Sequence, residues 1–254
     1  MAIGDAGLTA RIGNEASATN SLRKFLCHYF YFTMSFVFAA LVLAGFGRTV
    51  NANLFHASPP RPWLLWMHGV AFSTWIVFFI VQSTLVRLRK VSVHRAMGWF
   101  GAGLAAVMVV LGFAIAVIMT RFDITVIHLP MPNVDAFLSV PFGDMIVFGS
   151  CVGAAIYLKK KPVYHRPLLF IATCHLMDAA VGRFDYIFNH ALFYPILDGL
   201  ILLGVLRDWI VDHRVNKVYV YALPPIIVIQ ALATYAWRVN PAWWASITHS
   251  ILGL

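Results

Sequence analysis

Residues 167–188, PLLFIATCHLMDAAVGRFDYIF, are apolar enough to cross a bilayer, yet they contain His175, Asp178, Arg183 and Asp185. Each such group costs about 3 kcal/mol at the centre of a span, so its presence points to a proton relay, an ion path or a ligand site. Two shorter motifs could hold a metal. Val93-His94-Arg95-Ala96-Met97-Gly98 and Tyr164-His165-Arg166-Pro167-Leu168 each place an imidazole and a guanidinium where a helix begins after a basic loop. Two imidazoles at equal depth on neighbouring helices are what a b-type haem iron requires, and Arg95 and Arg166 are suited to its propionates. Lipid phosphate is the simpler partner for the same cations. Other chemistries lack their residues. There is no His-Glu-x-x-His zinc signature, no lysine in the middle of the last apolar run for a retinal Schiff base, and no first-half counterpart of Pro224-Pro225 to suggest an inverted transporter repeat. Cys27, Cys151 and Cys174 read as small packing residues.

The elements that must position these groups are membrane helices. Of 254 residues 61% are hydrophobic and only 11% charged, with a mean hydropathy of +0.78, which excludes an ordinary soluble core. Seven apolar runs approach the ~20 residues that a span needs: 25–47, 63–86, 97–120, 143–158, 167–188, 192–211 and 218–238. The expected fold is therefore all-α, a single polytopic bundle of about seven transmembrane helices. A polar tail, 1–24, precedes it, and an interfacial segment, 239–254, carrying Trp243 and Trp244, follows it. The basic stretches 11–24, 87–95, 159–166 and 212–217 fall on one side if every run crosses, which makes the N-terminus cytoplasmic and the location a bacterial inner membrane. The net charge of +9 is then a topology signal and an attraction to anionic lipid, with no nucleic-acid role.

A rise of 1.5 Å per residue sorts the polar groups by depth. On that scale His175 and Asp178 sit near the midplane, Arg183 about 8 Å and Asp198 about 5 Å outward, His68 about 10 Å outward, and Asp144 at the outer rim of its run. His68, Asp144, Arg183, Asp185 and Asp198 thus form an expected outer polar layer, with an Arg183–Asp198 ion pair locking the fifth and sixth runs. Protons, ions or a quinone head group entering from outside would meet this layer. His68 and His175 differ by about 14 Å in depth and make a poor haem pair, whereas His94 and His165 match.

The run Met67-His68-Gly69-Val70-Ala71-Phe72-Ser73-Thr74-Trp75, together with 93–99 and His165-Arg166-Pro167-Leu168-Leu169-Phe170-Ile171-Ala172-Thr173 to Arg183, resembles an uncharacterised family of bacterial multispan membrane proteins. More distantly it is similar to the four-helix core of b-type membrane cytochromes, in which histidines at helix ends and a nearby arginine hold haem. That second resemblance implies electron transport through haem b. Two functions follow from the residues: a haem-linked redox protein with a polar outer-leaflet pocket, or a non-catalytic accessory subunit whose aromatic surface contacts lipid, pigment or other membrane subunits.

Overall fold

The computed structural model describes the backbone of residues 3–254 and the side chains of residues 20–254. Every regular element is helical: α1 (Ile3–Phe46), α2 (Leu64–Arg87), α3 (Val91–Phe122), α4 (Ser139–Tyr157), α5 (Pro162–Leu176), α6 (Asp178–Val181), α7 (Asp185–Asn189), α8 (Phe193–Asp212), α9 (Lys217–Val239) and α10 (Ala242–Leu252). Among the described residues there is no strand. Turn chemistry sets the boundaries. Asn216 caps α9 by accepting from the Val218 amide at 2.9 Å, and Asn240 and Gly253 close α9 and α10 in the left-handed region.

Five stretches are long and apolar enough to cross a membrane: 20–46, 64–87, 91–127, 136–157 and 217–239. Their outward side chains are large and apolar, among them Leu43, Val70, Val110, Val228 and Leu232, as a lipid-facing surface requires. Two of the seven expected runs take other forms. The run 192–211 becomes α8, which has a span's length but carries Asp198, Arg207, Asp208 and Asp212. The run 167–188 is not one helix: it breaks after Leu176 and again at Gly182-Arg183-Phe184, where Phe184 is extended. Ahead of the first apolar stretch, α1 is already helical at Ile3. The C-terminal segment forms α10, whose eleven residues reach only about 16 Å. It docks through Trp244, which donates to the Ala136 carbonyl at 3.0 Å.

Side-chain contacts show that successive helices alternate in direction. Arg23 donates to the Val211 carbonyl and Asn216 to that of Val163 at one end. At the other end Arg61 pairs with Asp123 at 2.8 Å and Arg238 donates to the Asn189 carbonyl. The first end gathers Arg87, Arg89, Lys90, Lys159, Lys160, Lys161, Arg214 and Lys217 and is called here the basic end.

α4 lies at the centre, with 61% of its span buried against 22–28% for the other four. The short basic turn at 158–161 folds α4 and α5 into an antiparallel hairpin, so residues equidistant from that turn meet. Around the hairpin Phe38, Phe148 and Phe170 are fully buried, Trp75 packs edge-on against Phe148 at 5.2 Å, and the Trp75 indole donates to Thr173 at 3.3 Å.

Candidate functional site

The hairpin register brings together residues that are far apart in sequence. Asp144 is thirteen residues before the end of α4 and His175 thirteen after the start of α5, so both lie about 20 Å from the basic end. The His175 Nδ1 is 3.5 Å from the Asp144 Oδ1, with both side chains shielded from solvent. The Asp178 carboxyl and the Tyr194 hydroxyl flank Asp144 from α6 and the first turn of α8. Asp198, one turn further along α8, faces His175 and accepts from the Gln230 amide at 3.0 Å. The Asp198–Gln230 pair follows the same geometry: the two are nearly equidistant from the turn between α8 and α9.

Few of these groups are paired. Both ring nitrogens of His175, the Oδ1 atoms of Asp144 and Asp178, and the Tyr194 hydroxyl are buried with no hydrogen-bond partner among the described residues. Unmet donors and acceptors inside a bundle are costly, typically 1–3 kcal/mol each. Two carboxyls, an imidazole and a phenol in contact form a set of groups that can take up and hand on a proton.

The expected outer layer therefore divides. Asp144 is not a rim residue; α4 begins at Ser139, and the carboxyl sits a turn and a half inside. Arg183 does not pair with Asp198. The break at Gly182 turns it toward α1, where its Nη1 donates to the Thr49 hydroxyl at 2.8 Å and its guanidinium covers the Phe46 ring at 4.0 Å. His68 lies within electrostatic reach of Arg183, its ring stacked on Phe72 at 4.0 Å. Asp185 is exposed at the start of α7. A double-mutant cycle on Arg183→Leu and Asp198→Leu is expected to give a coupling energy below about 0.5 kcal/mol, while Arg183→Leu with Thr49→Val couples by about 1 kcal/mol, as unfolding measurements would read.

At the basic end His94 on α3 and His165 on α5 meet with ring centroids 6.4 Å apart and ring planes at 82°. The His165 Nδ1 is 2.8 Å from the Ala155 carbonyl, so it carries the hydrogen and leaves Nε2 as a lone-pair donor. The His94 Nδ1 is buried without a partner among the described residues. Arg95 and Arg166 are exposed beside them. A metal ion held in line by two imidazole nitrogens at about 2.0–2.1 Å spaces the ring centroids roughly 6 Å apart. The two imidazoles are close enough for one bound group to lie between them. Among the described residues no group of three or more His, Cys, Asp or Glu side chains converges on a metal position.

Three residues near these sites carry no motif in the sequence. Tyr194 and Gln230 join the interior cluster, and counting outward from the 213–216 turn pairs Gln230 with Asp198. At the basic end buried Asp208 accepts from Arg207 at 2.8 Å, and Arg207 also reaches Asp212 at 2.9 Å. That ion-paired group ties down the end of α8 and has no unmet carboxyl. Comparisons with protein-family models, with curated proteins and with solved structures found nothing that matches this chain.

Proposed function

We propose that the protein is a haem-linked electron-transfer protein of a bacterial inner membrane, with haem b held between His94 and His165. The observation that carries this reading is the imidazole pair itself: a centroid separation of 6.4 Å, perpendicular planes, and a His165 tautomer set by a backbone carbonyl. Arg95 and Arg166 supply the exposed cations that two propionates need. Bound haem would contribute a one-electron couple, and the chain's own part is to fix the two imidazoles, hold them half-buried at one membrane surface, and neutralise the acid groups. His68 and Arg183, at the opposite end, suit the two carbonyl acceptors of a quinone head group.

The topology that goes with this reading has seven crossings and a cytoplasmic N-terminus. α5, α6 and α7 together make one interrupted crossing, the form in which irregular backbone is tolerated when it lines a protein interior. α8 is the charged crossing. Lysines and arginines crowd the end where α2 meets α3, α4 meets α5 and α8 meets α9, which supports a cytoplasmic position for that end.

Protein purified from membranes in mild detergent is expected to show a Soret band and reduced-minus-oxidised α and β bands, and acid acetone is expected to extract haem from it. Colourless protein with no extractable haem would sink the reading and leave the accessory-subunit function in its place.

A further inference from the structure

The interior cluster is not used by the axial histidine pair, and it stands on separate observations. It is built from four elements that fold together: Asp144 on α4, His175 on α5, Asp178 on α6 and Tyr194 on α8. His175 is 1% exposed, and neither of its nitrogens has a partner among the described residues, although Nδ1 points at Asp144 from 3.5 Å. A buried histidine that serves packing alone normally has its ring nitrogens hydrogen-bonded. Among the described residues the cluster also has no cation to balance it. Arg183 has turned away to Thr49, and the ion pairs formed by lysine and arginine involve Asp123, Asp208 and Asp212. Two adjacent carboxyls with no fixed positive charge are relieved of their mutual repulsion most simply by a proton held between them, which leaves a single negative charge. The groups facing the site are Asp198 and the neutral Gln230 amide; α3 supplies none, because residues 96–120 contain no titratable side chain.

We propose that Asp144, His175, Asp178 and Tyr194 form a proton-binding site in the membrane interior, loaded and emptied from the less basic end. The direction follows from depth. Asp144 is eight residues inside the start of the 136–157 stretch, about 12 Å from that end, against about 20 Å from the other. The helix is interrupted at residues 177–184 on the same side, between the cluster and the Arg183 end. In the exchange the shared proton moves from the carboxyl pair to the His175 lone pair, so the pair gains one negative charge, the adjacent imidazolium gains one positive charge, and the net charge of the site is unchanged. The Tyr194 hydroxyl can donate to whichever carboxylate forms. The site needs no haem, so it can succeed or fail independently of the electron-transfer reading.

Infrared difference spectroscopy of the full-length protein in lipid vesicles, between acid and alkaline pH, tests the site directly. A protonated buried carboxyl absorbs in a carbonyl region clear of ionised aspartates. The expected result is a pH-dependent carbonyl band that is lost in Asp144→Asn or Asp178→Asn, with a titration midpoint that moves by about one pH unit in His175→Gln. Absence of any titrating band, or a band unchanged in both Asn variants, overturns the proposal. Loss of the band on adding sodium at constant pH also overturns it, since it assigns the site to a metal cation. Should the Asn variants fail to fold, Tyr194→Phe carries the test. Removing one hydroxyl should shift the frequency of the carbonyl band, and an unshifted band counts against the assignment.

Discussion

Purified His165→Ala protein is expected to carry no haem while keeping its helical circular dichroism and its elution volume. The reasoning separates ligation from folding. His165 is half-buried, and its one recorded bond is the Nδ1 donation to Ala155, worth about 1 kcal/mol. Loss of that bond is small beside the stability of a bundle with this much buried aromatic surface. On the proposed reading, loss of the imidazole would remove one of the two residues that would hold haem, so haem should no longer survive purification. His94→Ala should therefore give the same colourless protein, and the double variant should be no worse than either single one. Arg95→Ala and Arg166→Ala remove cations that act at the rim, so haem occupancy should fall by a few fold without disappearing. If His165→Ala retains the full band, the ligand lies elsewhere and the paired imidazoles serve only as helix-end packing.

Gly45→Ala is expected to have the largest effect on folding of any single methyl group added to this protein. α1 crosses the broken segment at the point where Gly45 faces Ala180, and a Cβ built there would overlap the Ala180 carbonyl and its Cα. Backbone cannot swing aside as a long side chain can. At Gly112 the obstacle is the flexible Met145 thioether, and at Gly204 it is the Tyr219 ring. Relief at Gly45 requires α1 to move off α6, which loosens the contact that Arg183 makes with Thr49 and Phe46 one turn away. Overpacking of this kind costs about 3 kcal/mol, and close approach through small residues is a main source of helix association in lipid. Thermal unfolding in detergent should show a clear drop in midpoint for Gly45→Ala and a smaller one for Gly112→Ala. Equal midpoints for the two would mean that α1 is free to shift on α6.

Much of the helical layout is readable without coordinates, because apolar run length and basic turns are local signals. The α4–α5 hairpin is an example: Lys159-Lys160-Lys161 marks its turn, and equal counting on either side pairs Asp144 with His175 and Ala155 with His165. What hides the first pair is the boundary of the fourth run. Placing its start at 143 puts Asp144 on the rim, whereas Val140 and Pro141 are already helical and extend the span outward. The break in 167–188 is hidden for a different reason. Its hydropathy is continuous, and Gly182 alone does not announce an end to a helix. The interruption comes from neighbours, with α1 pressing on Ala180 and Thr49 offering Arg183 a partner outside its own helix.

Composition, run lengths and the placement of lysine and arginine determine by themselves that this chain is a helical bundle apolar enough for a membrane, because the hydrophobic effect acts on each segment without reference to the others. They also single out His94, His165, His175 and Asp178 as the residues worth watching. Which of those residues meet is decided only by the tertiary structure. Pairing depends on where helices start, break and cross, and a one-turn change in any of these moves a side chain by about 5 Å. That distance separates an Arg183–Asp198 clamp from the arrangement found, in which Arg183 binds α1, Asp198 binds Gln230, and Asp144 faces an unpartnered histidine.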